Sequence, residues 1–161
     1  MPTRIDAAAL RDAMSRFPTG VTVVTANGPD GPAGATANAV ASLSLEPPLM
    51  LACLDLGSRT LVAVEHAQLF GVNVLAADQA ALARRFSTKD PHPAKWDGVA
   101  WTERAGAPMI DGVLTWLACE LRDLHDGGDH VIATGHVLEL EAGDAEPLIF
   151  HRGEYRPLGR D

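Results

Sequence analysis

Residues 34–60 read GATANAVASLSLEPPLMLACLDLGSRT. The first part, residues 36–44, is poor in large side chains and mixes small apolar with hydroxyl and amide residues. Such a strand lets a planar ring lie against its backbone. Main-chain amides, the Asn38 side chain and the hydroxyls of Thr36, Ser42 and Ser44 can then bond the ring's edge. An edge strand in an alanine-rich protein would read the same way. Pro47-Pro48 marks the start of the next strand, residues 49–54, which lacks polar alternation and is expected to be buried on both faces. The stretch closes on Ser58-Arg59-Thr60 at the start of a helix. Two hydroxyls, a guanidinium and free backbone N–H groups suit an anion, although a simple N-cap with a solvated arginine has the same sequence.

Upstream, residues 6–17 predict a helix. Asp6 is placed as N-cap, Leu10, Met14 and Phe17 share one face, and Ile5 can staple onto Leu10. Pro18 ends it. Residues 20–26 are rich in β-branched side chains and predict a strand. The Asn, Gly, Pro and Asp cluster at 27–32 turns the chain into a returning arm over 33–40.

Downstream, the pattern predicts a short helix over 60–68, a strand over 69–75, and a helix capped by Asp78 that runs to Phe86. Residues 87–98, STKDPHPAKWDG, read as a long exposed loop and a candidate lid. A short strand over 99–103 leads into a connection over 106–112. Two long strands, 113–124 and 131–141, flank a Gly-rich hairpin turn. A last strand over 147–152 turns at Gly153 into residues 155–158. Many antiparallel strands with few short helices predict a mainly β fold, a closed or partly closed barrel with peripheral helices; periodicity alone also admits a sandwich.

The chain of 161 residues fits one domain, residues 1–161, with no repeat or linker, and is long enough to bury a core without disulfides or metals. Thirteen basic against 21 acidic residues leave a net charge of −8, which disfavours general binding to nucleic-acid backbones but permits a local basic pocket. No apolar stretch is long enough to cross a bilayer, and the N-terminal residues lead into an amphipathic segment, so a cytoplasmic location is expected. The two cysteines, Cys53 and Cys119, sit in apolar runs and read as small hydrophobes.

No Rossmann glycine fingerprint, P-loop, nucleophile elbow or H-E-x-x-H occurs. His125 and His130 flank two aspartates, but their spacing fits no standard zinc pattern and no metal is expected. His66, His92 and His136 read as ordinary surface or packed histidines. Trp96, Trp101 and Trp116 read as core or interface residues.

Taken in order, FPTGVTVVT at 17–25, TANAVASLSLEPPL at 36–49, SRT at 58–60, FGVNVLAADQAALARRF at 70–86, GDH at 128–130 and HRGEY at 151–155 resemble the short-chain flavin reductases. These are the small components of two-component flavin-dependent monooxygenases, and the likeness runs over about residues 17–158. It implies an FMN-binding split β-barrel, antiparallel and of Greek-key type, forming a homodimer with flavin near the subunit interface. The implied activity is hydride transfer from NADH or NADPH to flavin, FMN favoured over FAD, with reduced flavin passed to a partner monooxygenase. A flavoenzyme holding FMN as a prosthetic group, or a non-catalytic flavin-binding barrel, remains the alternative on the same fold.

By position, the resemblance implies that Thr36, Ala37, Asn38 and Ala39 line the ring and ribityl chain, and that Ser42 lies near the ribityl or phosphate end. Cys53, Leu54 and Asp55 are implied beside the ring, and Ser58, Arg59 and Thr60 around the phosphate. Phe86 is expected to close the site and His130 to position the nicotinamide. His151 and Arg152 either contact a ligand or end a strand. Two departures stand out: Val40 occupies a position where an aromatic is common in the family, and residues 89–96 match no fixed family pattern.

Overall fold

In the computed structural model, which describes residues 4–159, the elements follow in the order α1 (Ala7–Met14), β1 (Thr19–Gly20), β2 (Thr22–Gly28), β3 (Gly31–Ala37), β4 (Val40–Leu45), β5 (Pro48–Asp55), α2 (Arg59–Ala67) and β6 (Leu69–Val74). Then come α3 (Ala80–Phe86), α4 (His92–Trp96), β7 (Trp101–Arg104), β8 (Ala107–Ile110), β9 (Thr115–Gly127), β10 (His130–Ala142), β11 (Leu148–His151) and β12 (Glu154–Pro157). Met1, Pro2 and Thr3, part of the N-terminal reading, lie outside the described residues. No described helix is long and apolar enough to cross a membrane.

A seven-stranded sheet in the order β3-β2-β6-β9-β10-β5-β4 carries the fold. All its pairings are antiparallel. Its two outermost strands, β3 and β4, are consecutive in the chain and joined only by Asn38 and Ala39. Opposite edges can be that close only if the sheet curls round on itself, which makes a barrel. The seam is not zipped by a β3–β4 ladder. The Cys53 amide donates to the Ala39 carbonyl at 2.9 Å, which only carries the β4–β5 ladder one residue into the connector. The barrel is therefore split, and the split lies between β3 and the end of β5.

The interior is filled by Val24, Phe70, Val72, Ala52, Leu54 and Cys119, with Leu61 and Val64 of α2 closing one end. Burial pushes the Cys119 thiol up to about 12, so it behaves as a hydrophobe, and both cysteines are free. Gly135 lets the wall close tightly: a Cβ there would stand 2.6 Å from the Phe70 ring. A second cluster, Val21, Val23, Leu75, Phe86, Trp96 and Leu148, lies under α3 and α4.

Several sequence expectations need correction. Residues 87–98 are not simply a loop. Pro91 and Pro93 occupy the cap and first turn of α4, where a missing N–H costs nothing, and Trp96 packs edge-on to Phe86 (5.0 Å) and Trp101 (5.4 Å). The arm over 33–40 breaks at Asn38 into β3 and β4. Strand β5 is not buried on both faces: Ala52 and Leu54 point into the core, while Leu51 and Cys53 are half-buried, with no element among the described residues over the outer side. Residues 107–110 form a strand, β8, paired with β7. Asp78 does not cap α3; Gln79 holds that position and its Oε1 accepts from the Ala76 amide at 2.8 Å. Asp6 does cap α1, accepting from the Ala9 amide at 2.7 Å, but Ile5, Leu10, Met14 and Phe17 are all exposed and α1 buries no residue.

Candidate functional site

A cleft of about 400 Å³ occupies the split in the barrel. One lip is the end of β3, where Ala35, Thr36 and Ala37 run into the Asn38–Ala39 connector. The other lip is the end of β5, Cys53, Leu54 and Asp55. Small residues on both lips leave the backbone within reach of a flat group. The Thr36 hydroxyl donates to the Ala83 carbonyl at 2.6 Å, so its proton ties β3 to α3 and its oxygen is left to a ligand only as an acceptor. Thr22 similarly occupies the Ala37 carbonyl at 2.6 Å. Asn38 and Ala39 are exposed and lie at the mouth.

The far end of the cleft is built around the start of α2. Asp55 Oδ1 accepts from the Gly57 amide at 2.7 Å, shaping the turn. Ser58 is the N-cap, and its Oγ accepts from the Thr60 amide at 3.1 Å. Thr60 is 1% exposed, and its Oγ1 is buried without a hydrogen-bond partner among the described residues. A buried hydroxyl left unpaired costs stability unless something else fills the position. Arg59 is exposed beside it.

Opposite α2, the last residue of α3, Phe86, and the segment Ser87, Thr88, Lys89 and Asp90 after it line the cleft, and α4 supplies His92 and Lys95. Lys95 is 6% exposed, its Nζ donates to the Phe86 carbonyl at 3.4 Å, and it forms no salt bridge among the described residues. Burial lowers its pKa, Asp90 raises it, and Lys89 and Arg59 lower it further. Burial, then Lys95 and Arg59, bring His92 down to about 4, so its ring is neutral near pH 7. An unpaired hydroxyl, a helix start and a buried lysine short of an anion all converge here, which fits a phosphate group.

His130 enters from the tip of the β9–β10 hairpin, in register with Asp55. The Asp129 carbonyl accepts from the Leu56 amide at 3.1 Å, which fixes the hairpin tip to the turn before α2. Phe86 closes the inner wall; it packs so closely on Gly34 that a Cβ there would lie 2.8 Å from the ring.

The cleft thus brings together Thr36, Ala37, Asn38, Ala39, Cys53, Leu54, Asp55, Ser58, Arg59, Thr60, Phe86 and His130. Ser42 is the exception. It sits on the exposed outer strand β4, paired with Met50, because the chain has already crossed the seam at Asn38–Ala39. Sequence reasoning missed Lys95 and His92. The available signal was a helix start with proline in its first turn, which places positions three apart on one face. Among the described residues no group of three or more His, Cys, Asp or Glu is arranged to hold a metal ion.

Comparison with known proteins agrees with this architecture. The chain is 41% identical over 159 residues to the reductase subunit HsaB of a flavin-dependent monooxygenase from Rhodococcus jostii, covering 98% of this chain and 80% of that protein. It is 39% identical over 153 residues to the FMN reductase (NADH) SmoA of Agrobacterium fabrum, covering 94% and 86%. The solved structure of the NADH:FAD oxidoreductase SgcE6 of Streptomyces globisporus superposes with a TM-score of 0.89 at 36% identity, covering 99% of this chain and 100% of that one. The flavin reductase like domain matches residues 14–159, and the chain belongs to that family.

Proposed function

We propose that this chain is an NADH-dependent flavin reductase that supplies reduced flavin to a separate monooxygenase. The observation that carries the reading is the cleft's polarity along its length. Small residues and backbone line one end, and the unpaired Thr60 hydroxyl, Arg59 and Lys95 line the other. The FMN moiety common to FMN and FAD has the same polarity, a flat ring at one end and a phosphate at the other.

When bound, the flavin ring supplies the hydride acceptor, and the protein is left to orient and to tune. The lips at Ala37–Ala39 and Cys53–Asp55 hold the ring through main-chain groups. Ser58, Arg59, Thr60 and Lys95 hold the phosphate. His130, with its ring tied to Asp129, faces the nicotinamide side and positions the donor. No residue has to give or take a proton for the transfer. NADH is favoured as donor because the relatives SmoA and SgcE6 are NADH enzymes by name.

A homodimer belongs to this reading. The half-buried Leu51 and Cys53 and the exposed Leu43 and Leu45 lie on neighbouring strands with nothing among the described residues to cover them. A second copy would bury them through an isologous contact.

Mixing the purified protein with NADH and either FMN or FAD under anaerobic conditions tests the activity. Bleaching of the flavin absorbance near its visible maximum is expected, faster with NADH than with NADPH. A flavin spectrum unchanged with both donors and both flavins overturns the proposal.

A further inference from the structure

Buried polar atoms without a hydrogen-bond partner gather at one end of the cleft. Six such side-chain atoms occur among the described residues, and three of them, Thr60 Oγ1 and both ring nitrogens of His92, belong to residues that line the cleft. Thr60 comes from α2 and His92 from the first position of α4, so two elements bring unpaired groups to one space. An imidazole with neither nitrogen bonded is costly to bury. His92 also lies within residues 89–96, the segment that matches no fixed family pattern, so it is this chain's own addition to the cleft.

The charges around the ring explain why it is neutral. Burial acts first, and then Lys95 of α4 and Arg59 of α2, which line the same cleft, to hold His92 down to about 4. Lys89 and Asp90 reach the cleft from the segment before α4, and Asp30 lies on the β2–β3 turn across an adjoining groove that His92 also lines. Neither carboxylate forms an ion pair with the ring. Asp90 Oδ2 accepts instead from the Thr88 hydroxyl at 2.8 Å. The ring thus has lysine and arginine around it and no carboxylate bonded to it. A dianion placed among these cations reverses the balance: it offsets their charge and adds its own attraction for a proton on the ring.

Hydrogen-bond chemistry leads the same way. A dianionic phosphate only accepts. A neutral imidazole can offer it one N–H, whereas an imidazolium offers two, both charge-assisted. Both nitrogens are enclosed by protein, so the ring has to turn about its Cβ–Cγ bond to reach the phosphate.

We propose that His92 turns onto the phosphate of the bound flavin and takes up a proton from solvent as it does so, which makes this chain's capture of a phosphorylated flavin proton-coupled. The proposal rests on the reading of the cleft as a flavin site and deepens it, because His92 then helps to select a phosphorylated flavin over riboflavin. The sign follows from linkage: binding that takes up a proton strengthens as the pH falls.

The ring C–H signals of His92, assigned through its backbone, are followed by NMR of the full chain over a pH series, alone and saturated with FMN, FAD or riboflavin. FMN and FAD are each expected to raise the proton affinity of the ring at least about tenfold, and riboflavin, which has no phosphate, to change it less than about twofold. Flavin titrations by fluorescence give a second arm. The phosphate of FMN takes up protons of its own in this range, so His92→Gln and the native chain are compared at each pH. The ratio of the H92Q dissociation constant to the native one is expected to grow about twofold or more between about pH 7 and about pH 5. A His92 titration that is the same with and without FMN and FAD overturns the proposal while leaving the flavin site standing, and so does an equal shift with riboflavin. A ratio that stays flat with pH overturns it too. The NMR arm needs no variant and decides the matter if H92Q does not fold. Failure of all three flavins to bind overturns the underlying reading as well.

Discussion

Asp129 holds the ring of its neighbour His130: the His130 Nδ1 and Asp129 Oδ1 lie 2.7 Å apart at the tip of the β9–β10 hairpin. The His130 hydrogen bond is also the main reason the Asp129 carboxyl stays below its usual range. In the neutral ring, donation from Nδ1 to the carboxylate leaves Nε2 as the acceptor. Removing the carboxylate frees the ring to rotate and lets the tautomer vary. Asp129→Asn is therefore expected to raise the KM for NADH by about three- to tenfold, with the dissociation constant for flavin within about twofold of the native value. Steady-state kinetics with saturating flavin, beside a flavin titration, checks both halves. A change in flavin affinity alone would count against a role at the donor.

Thr60 carries a hydroxyl with no partner among the described residues. Thr60→Val keeps the shape and removes the unpaired group. The ligand-free protein is expected to be equally stable or to gain about 1 kcal/mol, while FMN binds about three- to tenfold more weakly. Arg59→Ala is expected to weaken FMN more, by about tenfold or beyond, with turnover at saturating flavin largely kept. Thermal melts and flavin titrations on both variants measure this. Riboflavin, which lacks the phosphate, should bind all three proteins alike.

Gly34 touches Phe86 at a distance no side chain can share, and Trp96 stands close behind, 3.3 Å from where a Cβ on residue 34 would lie. Gly34→Ala forces the Phe86–Trp96 pair to move. A loss of about 1–3 kcal/mol is expected, together with weaker flavin binding, because Phe86 is also the inner wall of the cleft. Denaturant unfolding with and without flavin is the measurement. An unchanged midpoint would show that the pair is free to shift.

His92 gives the fold a pH dependence of defined sign. Its pKa falls from 6.5 to about 4, through burial first and then Lys95 and Arg59. Between those values the unfolded chain takes up a proton that the folded chain refuses. Stability therefore falls as the pH drops from about 6.5 towards 4 and levels off below. Both ring nitrogens are buried, but the residue as a whole is only half-buried, so screening limits the loss to about 1–2 kcal/mol. His92→Gln should flatten this part of the curve, read from urea midpoints at a series of pH values.

The sequence was most informative where one residue type has one physical use. The β-branched run at 22–25 is a strand, Gly31 follows a two-residue turn with a φ of +117°, and Ser58 caps α2 through its own hydroxyl. It was least informative where a tertiary partner decides. The Thr36 hydroxyl proton is spent on α3, at the Ala83 carbonyl 47 residues further along the chain. Lys95 is buried with its Nζ on the Phe86 carbonyl, a contact across the α3–α4 segment that no local pattern shows. Ser42 lies outside the cleft on β4, and the small residues that continue across the seam do not mark where the chain changes edge. The apolar run of β5 does not reveal that its outer face has no cover among the described residues.

The two-residue connector at Asn38–Ala39 has a consequence for how the protein folds. It places adjoining residues at opposite ends of a seven-stranded ladder. The β2–β3 and β9–β10 hairpins are local and can form early, but the cleft needs His130 brought to Asp55 by the long-range pairing of β10 with β5. The seam and the cleft are thus completed together, late, when the ends of the ladder meet. A ligand that binds there finds no site in the unfolded chain or in an isolated hairpin. It lengthens the lifetime of the folded barrel by slowing its opening, and leaves the rate of folding nearly untouched.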